Sequence, residues 1–141
     1  MKIFGALLAL WERITEPRHL KAAYAVFYAV VVGLGLIALI APPQSISGEL
    51  GPVLTVTWGV LALVGGGGGL ATVFPGWWFA ERLSIIVIWC ALGMYLLVVI
   101  VLQFSSESGA RWAQMTLFVL AAGLFYVRWL GIREYSFEPR R

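Results

Sequence analysis

The sequence has no aspartate, one cysteine and one histidine in 141 residues. The lone thiol, Cys90, excludes an internal disulfide and reads as a small apolar residue in the middle of a hydrophobic run. The lone imidazole, His19, stands between Arg18 and Lys21 and reads as a solvated or headgroup residue rather than a metal ligand. No His/Cys/Glu cluster has metal-ligand spacing. There is no phosphate-binding glycine loop, no nucleophile elbow, and no pair of carboxylates on one helix face. These absences point away from an enzyme, and no cofactor or metal is expected.

Charge is also scarce. Only 12% of the residues are Asp, Glu, Lys or Arg, against 61% apolar residues. Soluble domains hold about 45–50% apolar residues, and so little charge cannot clothe a soluble surface. Mean hydropathy is +0.90. What the chain does have is four apolar runs, at 22–41, 53–74, 83–102 and 112–130, with no charge in their central turns. Each is near the ~20 residues a helix needs to cross a ~30 Å hydrocarbon core. Backbone groups in lipid must be satisfied within the segment, so the runs are predicted to be helices. The expected fold is all-α: one polytopic membrane domain over 1–141 with four transmembrane helices.

The first 16 residues carry Ile3, Phe4, Leu7, Leu8, Trp11 and Ile14 at helical spacing. The segment is too short to span and lacks a small-x-small cleavage pattern after its apolar stretch. It reads as an amphipathic helix lying in the membrane interface, or as a helix packed on the end of the bundle. Pro17 breaks it and suits the first turn of the next helix.

Basic residues are distributed unevenly. With the N-terminus inside, Lys2, Arg13, Arg18, Lys21, Arg82, Arg128, Arg133, Arg140 and Arg141 fall on the cytoplasmic side and only Arg111 outside. That nine-to-one bias predicts that both termini are cytoplasmic. Trp11, Trp77, Trp78, Trp112 and Trp129, with Arg82, are the expected anchors at the membrane surfaces. Residues 42–52 read as an outer loop, 75–82 as a tight inner turn, and 131–141 as a basic cytoplasmic tail. Glu81 reads as a partner of the helix N-terminus. Tyr24, Tyr28, Thr55, Thr57, Thr72, Ser84, Gln114 and Thr116 read as interhelical hydrogen-bonding groups.

Gly65, Gly66, Gly67, Gly68 and Gly69 form an unbroken run inside the second apolar segment. In water, five interior glycines would cost a helix roughly 4–5 kcal/mol relative to alanine. The run reads as a smooth face for a neighbouring helix, as a hinge, or as an unwound stretch lining a cavity. The first reading predicts a continuous helix in which leucine at Gly67 or Gly69 is not tolerated. Ala25, Ala29 and Gly33, four residues apart, form a second small ridge suited to contact within the bundle or between subunits.

Two segments, PGWWFAERL at 75–83 and RWLGIREYSFEPRR at 128–141, together with the four-span layout, resemble small four-span membrane proteins encoded by phages of actinobacteria, often labelled holin. The resemblance covers most of the chain. It implies an all-helical, non-enzymatic, oligomer-forming protein of a bacterial inner membrane that permeabilises it during host-cell lysis. The alternative class is an interaction protein: a phage immunity or exclusion factor, or an accessory subunit of a membrane complex. The expected partners are the lipid bilayer, further copies of the chain and, on the alternative reading, another membrane protein; nucleic acid is not among them.

Overall fold

The computed structural model describes residues 18–42, 44–105 and 111–134. The expected interfacial helix, with Trp11, and the tail beyond 134 lie outside the described residues. Among the described residues there are four helices: α1 (Arg18–Ile40), α2 (Gln44–Val73), α3 (Trp78–Ser105) and α4 (Trp112–Ile132). All four contain a stretch long and apolar enough to cross a membrane, so this is an all-helical, membrane-embedded protein. Among the described residues there is no strand.

The helix boundaries differ from the sequence reading in two places. Residues 44–50, expected in a loop, are helical. The helix is broken at Gly51, whose φ of 74° and ψ of 165° lie outside the helical region, and Pro52 restarts the chain. The spanning part of α2 is therefore Gly51–Val73. Thr55 Oγ1 donates to the Gly51 carbonyl at 2.8 Å, bonding back one turn to the start of the spanning helix. The inner turn is also shorter than expected. Gly76 takes φ 73°, α3 begins at Trp78, and the Glu81 amide donates to the Trp77 carbonyl at 2.9 Å. Glu81 thus sits within the first turn of α3, at the helix start where the sequence places it.

On each of three helices a buried seam recurs at spacings of three, four or seven: Lys21, Tyr24, Tyr28, Gly35 and Ala38 on α1; Thr55, Trp58, Ala62, Gly65, Gly69 and Thr72 on α2; and Glu81, Ser84, Ile88, Ala91, Tyr95 and Val99 on α3, with Ala25, Gly59, Gly66, Val73 and Ile85 buried beside it. Spacing of three and four keeps one seam of a helix against its neighbour at a shallow crossing. α2 lies between α1 and α3, in close backbone approach to both, whereas α4 stands farther from α3.

The glycine run follows from that central place. The helix continues through all five residues. A Cβ at Gly65 would lie 2.7 Å from Ile88 Cγ1 on α3, and one at Gly68 would meet Ser84 Oγ. A Cβ at Gly66 would lie 2.8 Å from the Val32 amide on α1, and one at Gly69 would meet the Tyr28 ring. Two faces of one helix must both be flat, so glycine recurs on each. Lipid supplies no hydrophobic drive between helices, so this close packing holds the three together. Gly67 points elsewhere, with nothing within 4 Å of its Cβ position. The expectation that leucine there would be excluded does not fit this geometry.

Candidate functional site

At the end of the bundle formed by the α2–α3 turn, Glu81 and Arg128 make a buried, bidentate ion pair. Arg128 Nε donates to Glu81 Oε1 at 2.7 Å and Nη2 to Oε2 at 2.8 Å, with the two side chains 6% and 0% exposed. Tyr28 Oη donates to Glu81 Oε1 at 2.9 Å. The Arg128 guanidinium lies over the Tyr24 ring at 5.1 Å, and Tyr24 Oη donates to the Leu124 carbonyl at 3.4 Å. One carboxylate therefore accepts from α1 and α4 while anchored in α3. Lys21 is buried on the same α1 seam, one turn before Tyr24.

The seam explains the placement. Seven residues separate Lys21 from Tyr28, and Glu81 from Ile88, so each charge continues the packed face of its helix beyond the last apolar layer. Arg128 stands between Phe125 and Ile132, which are themselves buried. The aromatic rings of Tyr28 and Phe125, 5.5 Å apart, close the layer beneath. A carboxylate and a guanidinium are expensive to desolvate, and only good geometry with every lone pair used offsets that cost. Here both oxygens of Glu81 are bonded.

This adds to the sequence reading of both residues: Glu81 does stand in the first turn of α3, and the pair gives it a partner as well. Glu81 reads from sequence as a local complement to a helix N-terminus, and Arg128 as a topology determinant. They also bind each other across 47 residues of chain. A sequence signal was present: both lie at helical spacing from buried neighbours within otherwise apolar segments, and an ionisable group in a span normally faces the bundle interior. The pairing itself carries no local signature.

The other expected residues are distributed as follows. Ala25 is buried in the core with Tyr24 and Tyr28. Ala29 is exposed, and Gly33 has nothing within 4 Å of its Cβ position, so the three-residue ridge is not one continuous contact. The small residue of α1 that does dock on α2 is Gly35, whose Cβ would lie 2.8 Å from the Gly59 carbonyl. Trp77 and Trp112 are exposed, while Trp78 and Trp129 pack against the core. Arg82 bonds to protein: its Nη1 donates to the Arg133 carbonyl at 2.6 Å, capping α4 from α3. Gln114 Nε2 donates to Tyr95 Oη at 2.8 Å, joining α4 to α3 toward the opposite end.

Among the described residues no group of three His, Cys, Asp or Glu side chains could hold a metal. The Glu81–Arg128 site is arranged as a closed clasp between helices. Comparison with protein-family models, with curated proteins and with solved structures finds no match to this chain.

Proposed function

We propose that this chain is a non-enzymatic membrane protein that acts through lateral contacts in the bilayer, on the holin pattern. Subunits accumulate in the bacterial inner membrane, with both termini in the cytoplasm, associate side by side, and permeabilise the membrane for lysis. The observation that supports this reading is the closure of the bundle's charged end. Glu81, Arg128 and Tyr28 bond to one another, so this cluster offers no open charged group to a solute passing through one subunit. On this reading the permeation path runs between subunits. The resemblance of residues 75–83 and 128–141 to phage proteins directs the reading to lysis.

A second reading, an immunity or exclusion factor or an accessory subunit, is favoured by the fate of the small residues. Gly65, Gly66, Gly68 and Gly69 are used inside the subunit. Ala29 and Gly33 remain as places of close approach on α1, enough for one partner helix. Induced expression in a bacterial host with a membrane-impermeant dye separates the two. Abrupt dye entry at a defined time supports the holin reading. Normal growth with resistance to a superinfecting phage overturns it in favour of the second.

A further inference from the structure

α3 and α4 leave a groove of about 460 Å³ between them, open on one side and lined almost wholly by apolar atoms. Gly93, Ala122 and Gly123 are its small residues, and Trp89, Phe118 and Tyr126 are its aromatic ones. The groove exists because α4 is held to α3 by side-chain bonds rather than by backbone contact. Trp89 Nε1 donates to the Ala122 carbonyl at 3.2 Å, and the Trp89 ring packs on Trp129 with centroids 5.5 Å apart.

The two arginines at the basic end lie in line with this groove. On α3 the residues Arg82, Trp89, Gly93 and Leu96 are spaced by seven, four and three, and return to one side of the helix. On α4 the residues Arg133, Tyr126, Ala122 and Val119 are spaced by seven, four and three in the opposite direction. Arg133 keeps helical backbone angles (φ −67°, ψ −29°), so the register extends to it. The bond from Arg82 Nη1 to the Arg133 carbonyl brings the Arg82 guanidinium to the end of α4. The Arg133 side chain is exposed. Arg82 to Leu96 is fourteen residues, about 20 Å of helix axis. One leaflet of hydrocarbon is about 15 Å deep.

We propose that this surface is a binding site for one anionic phospholipid, its phosphate held at Arg82 and Arg133 and an acyl chain laid in the α3–α4 groove. Charge complementarity selects the occupant. A neutral transmembrane helix would fill the groove but gain nothing from two guanidiniums at its mouth, whereas a phosphodiester gains from both. Exposed Glu134, the residue after Arg133, reduces the local field without cancelling it. The site depends only on the protein being embedded in a membrane, and it stands whichever reading of the function holds.

The full chain, purified in mild detergent, is incubated with phosphatidylglycerol or phosphatidylcholine, and retained lipid is counted by native mass spectrometry. Phosphatidylglycerol should be retained over phosphatidylcholine by at least about fivefold, the scale of one basic residue at a membrane surface. Arg133→Gln should remove about fivefold of that preference. Gly123→Leu should lower retention of both lipids. A Cβ at Gly123 meets nothing within 4 Å, so this variant fills the groove without disturbing the bundle, and Gly67→Leu, equally unopposed, is the control. Equal retention of the two lipids by the unaltered protein overturns the proposal. So does unchanged retention in Gly123→Leu. Loss of crosslinked dimers in Gly123→Leu with lipid retention intact also overturns it, and assigns the groove to a second copy of the chain. None of these measurements depends on permeabilisation.

Discussion

A carboxylate in the first turn of one helix and a guanidinium near the end of another define the chemistry at the residue scale. Breaking a buried pair by removing one partner typically costs about 3–5 kcal/mol, because the other charge is left without compensation. Glu81→Leu and Arg128→Leu should each lower the thermal stability of the detergent-solubilised protein on that scale. The double variant should be more stable than the sum of the two losses implies, a coupling that a double-mutant cycle reads directly. Strict additivity would mean that the pair does not form. Tyr28→Phe removes one hydrogen bond to a charged acceptor and should cost about 1.5–3 kcal/mol.

At the scale of the element, the glycines of α2 divide by face. Gly69→Ala places a methyl group against the Tyr28 ring, which is pinned by its bond to Glu81. It should destabilise the protein despite alanine's better helix propensity. Gly67→Ala enters open space and should stabilise it by about 0.5–1 kcal/mol, the usual gain from replacing glycine within a helix. Thermal scans of the two variants in one detergent should move in opposite directions. A common direction would place both residues on equivalent faces and refute the packing described. Gly51 is a different case, since its φ of 74° and ψ of 165° belong to a region essentially closed to side chains. Gly51→Ala should cost about 1–3 kcal/mol although no neighbour lies within 4 Å of its Cβ position. Faster proteolysis between 44 and 52 would report the loosened break. The apolar spans are legible in the amino-acid sequence, because length and hydropathy alone set them. The break at Gly51 is not, since a glycine-proline pair in a polar stretch reads equally well as plain loop.

At the scale of the whole molecule, orientation and association set what the protein can do in a bilayer. Reporter fusions at Phe79 and after Arg141 should read as cytoplasmic, and those at Gln44 and Ser106 as external, following the nine-to-one basic bias. An external C-terminus would overturn the topology. Ala29→Ile adds bulk to an exposed position on α1 and should reduce crosslinked oligomers while leaving the subunit folded. Ala25→Ile, by contrast, should perturb folding, because Ala25 is buried beside Tyr24 and Tyr28. Equal effects from the two would show that α1 does not divide into an inner and an outer face.

Composition and hydropathy by themselves determined that this chain lives in a membrane as four helices, because the ~30 Å thickness of the hydrocarbon core and the demand for internal hydrogen bonds leave no other use for runs of ~20 apolar residues. They also marked the glycine run as a packing surface, though not that it serves two neighbours at once. Tertiary structure alone decided which charges meet. Glu81 and Arg128 are each ordinary near a membrane surface, and their pairing depends on the crossing of helices whose contacting residues lie 47 positions apart. It also decided which small residues face inward. Ala25 and Ala29 differ by one helical turn, and a slight rotation of α1 against α2 settles that the first is core and the second is open to a partner.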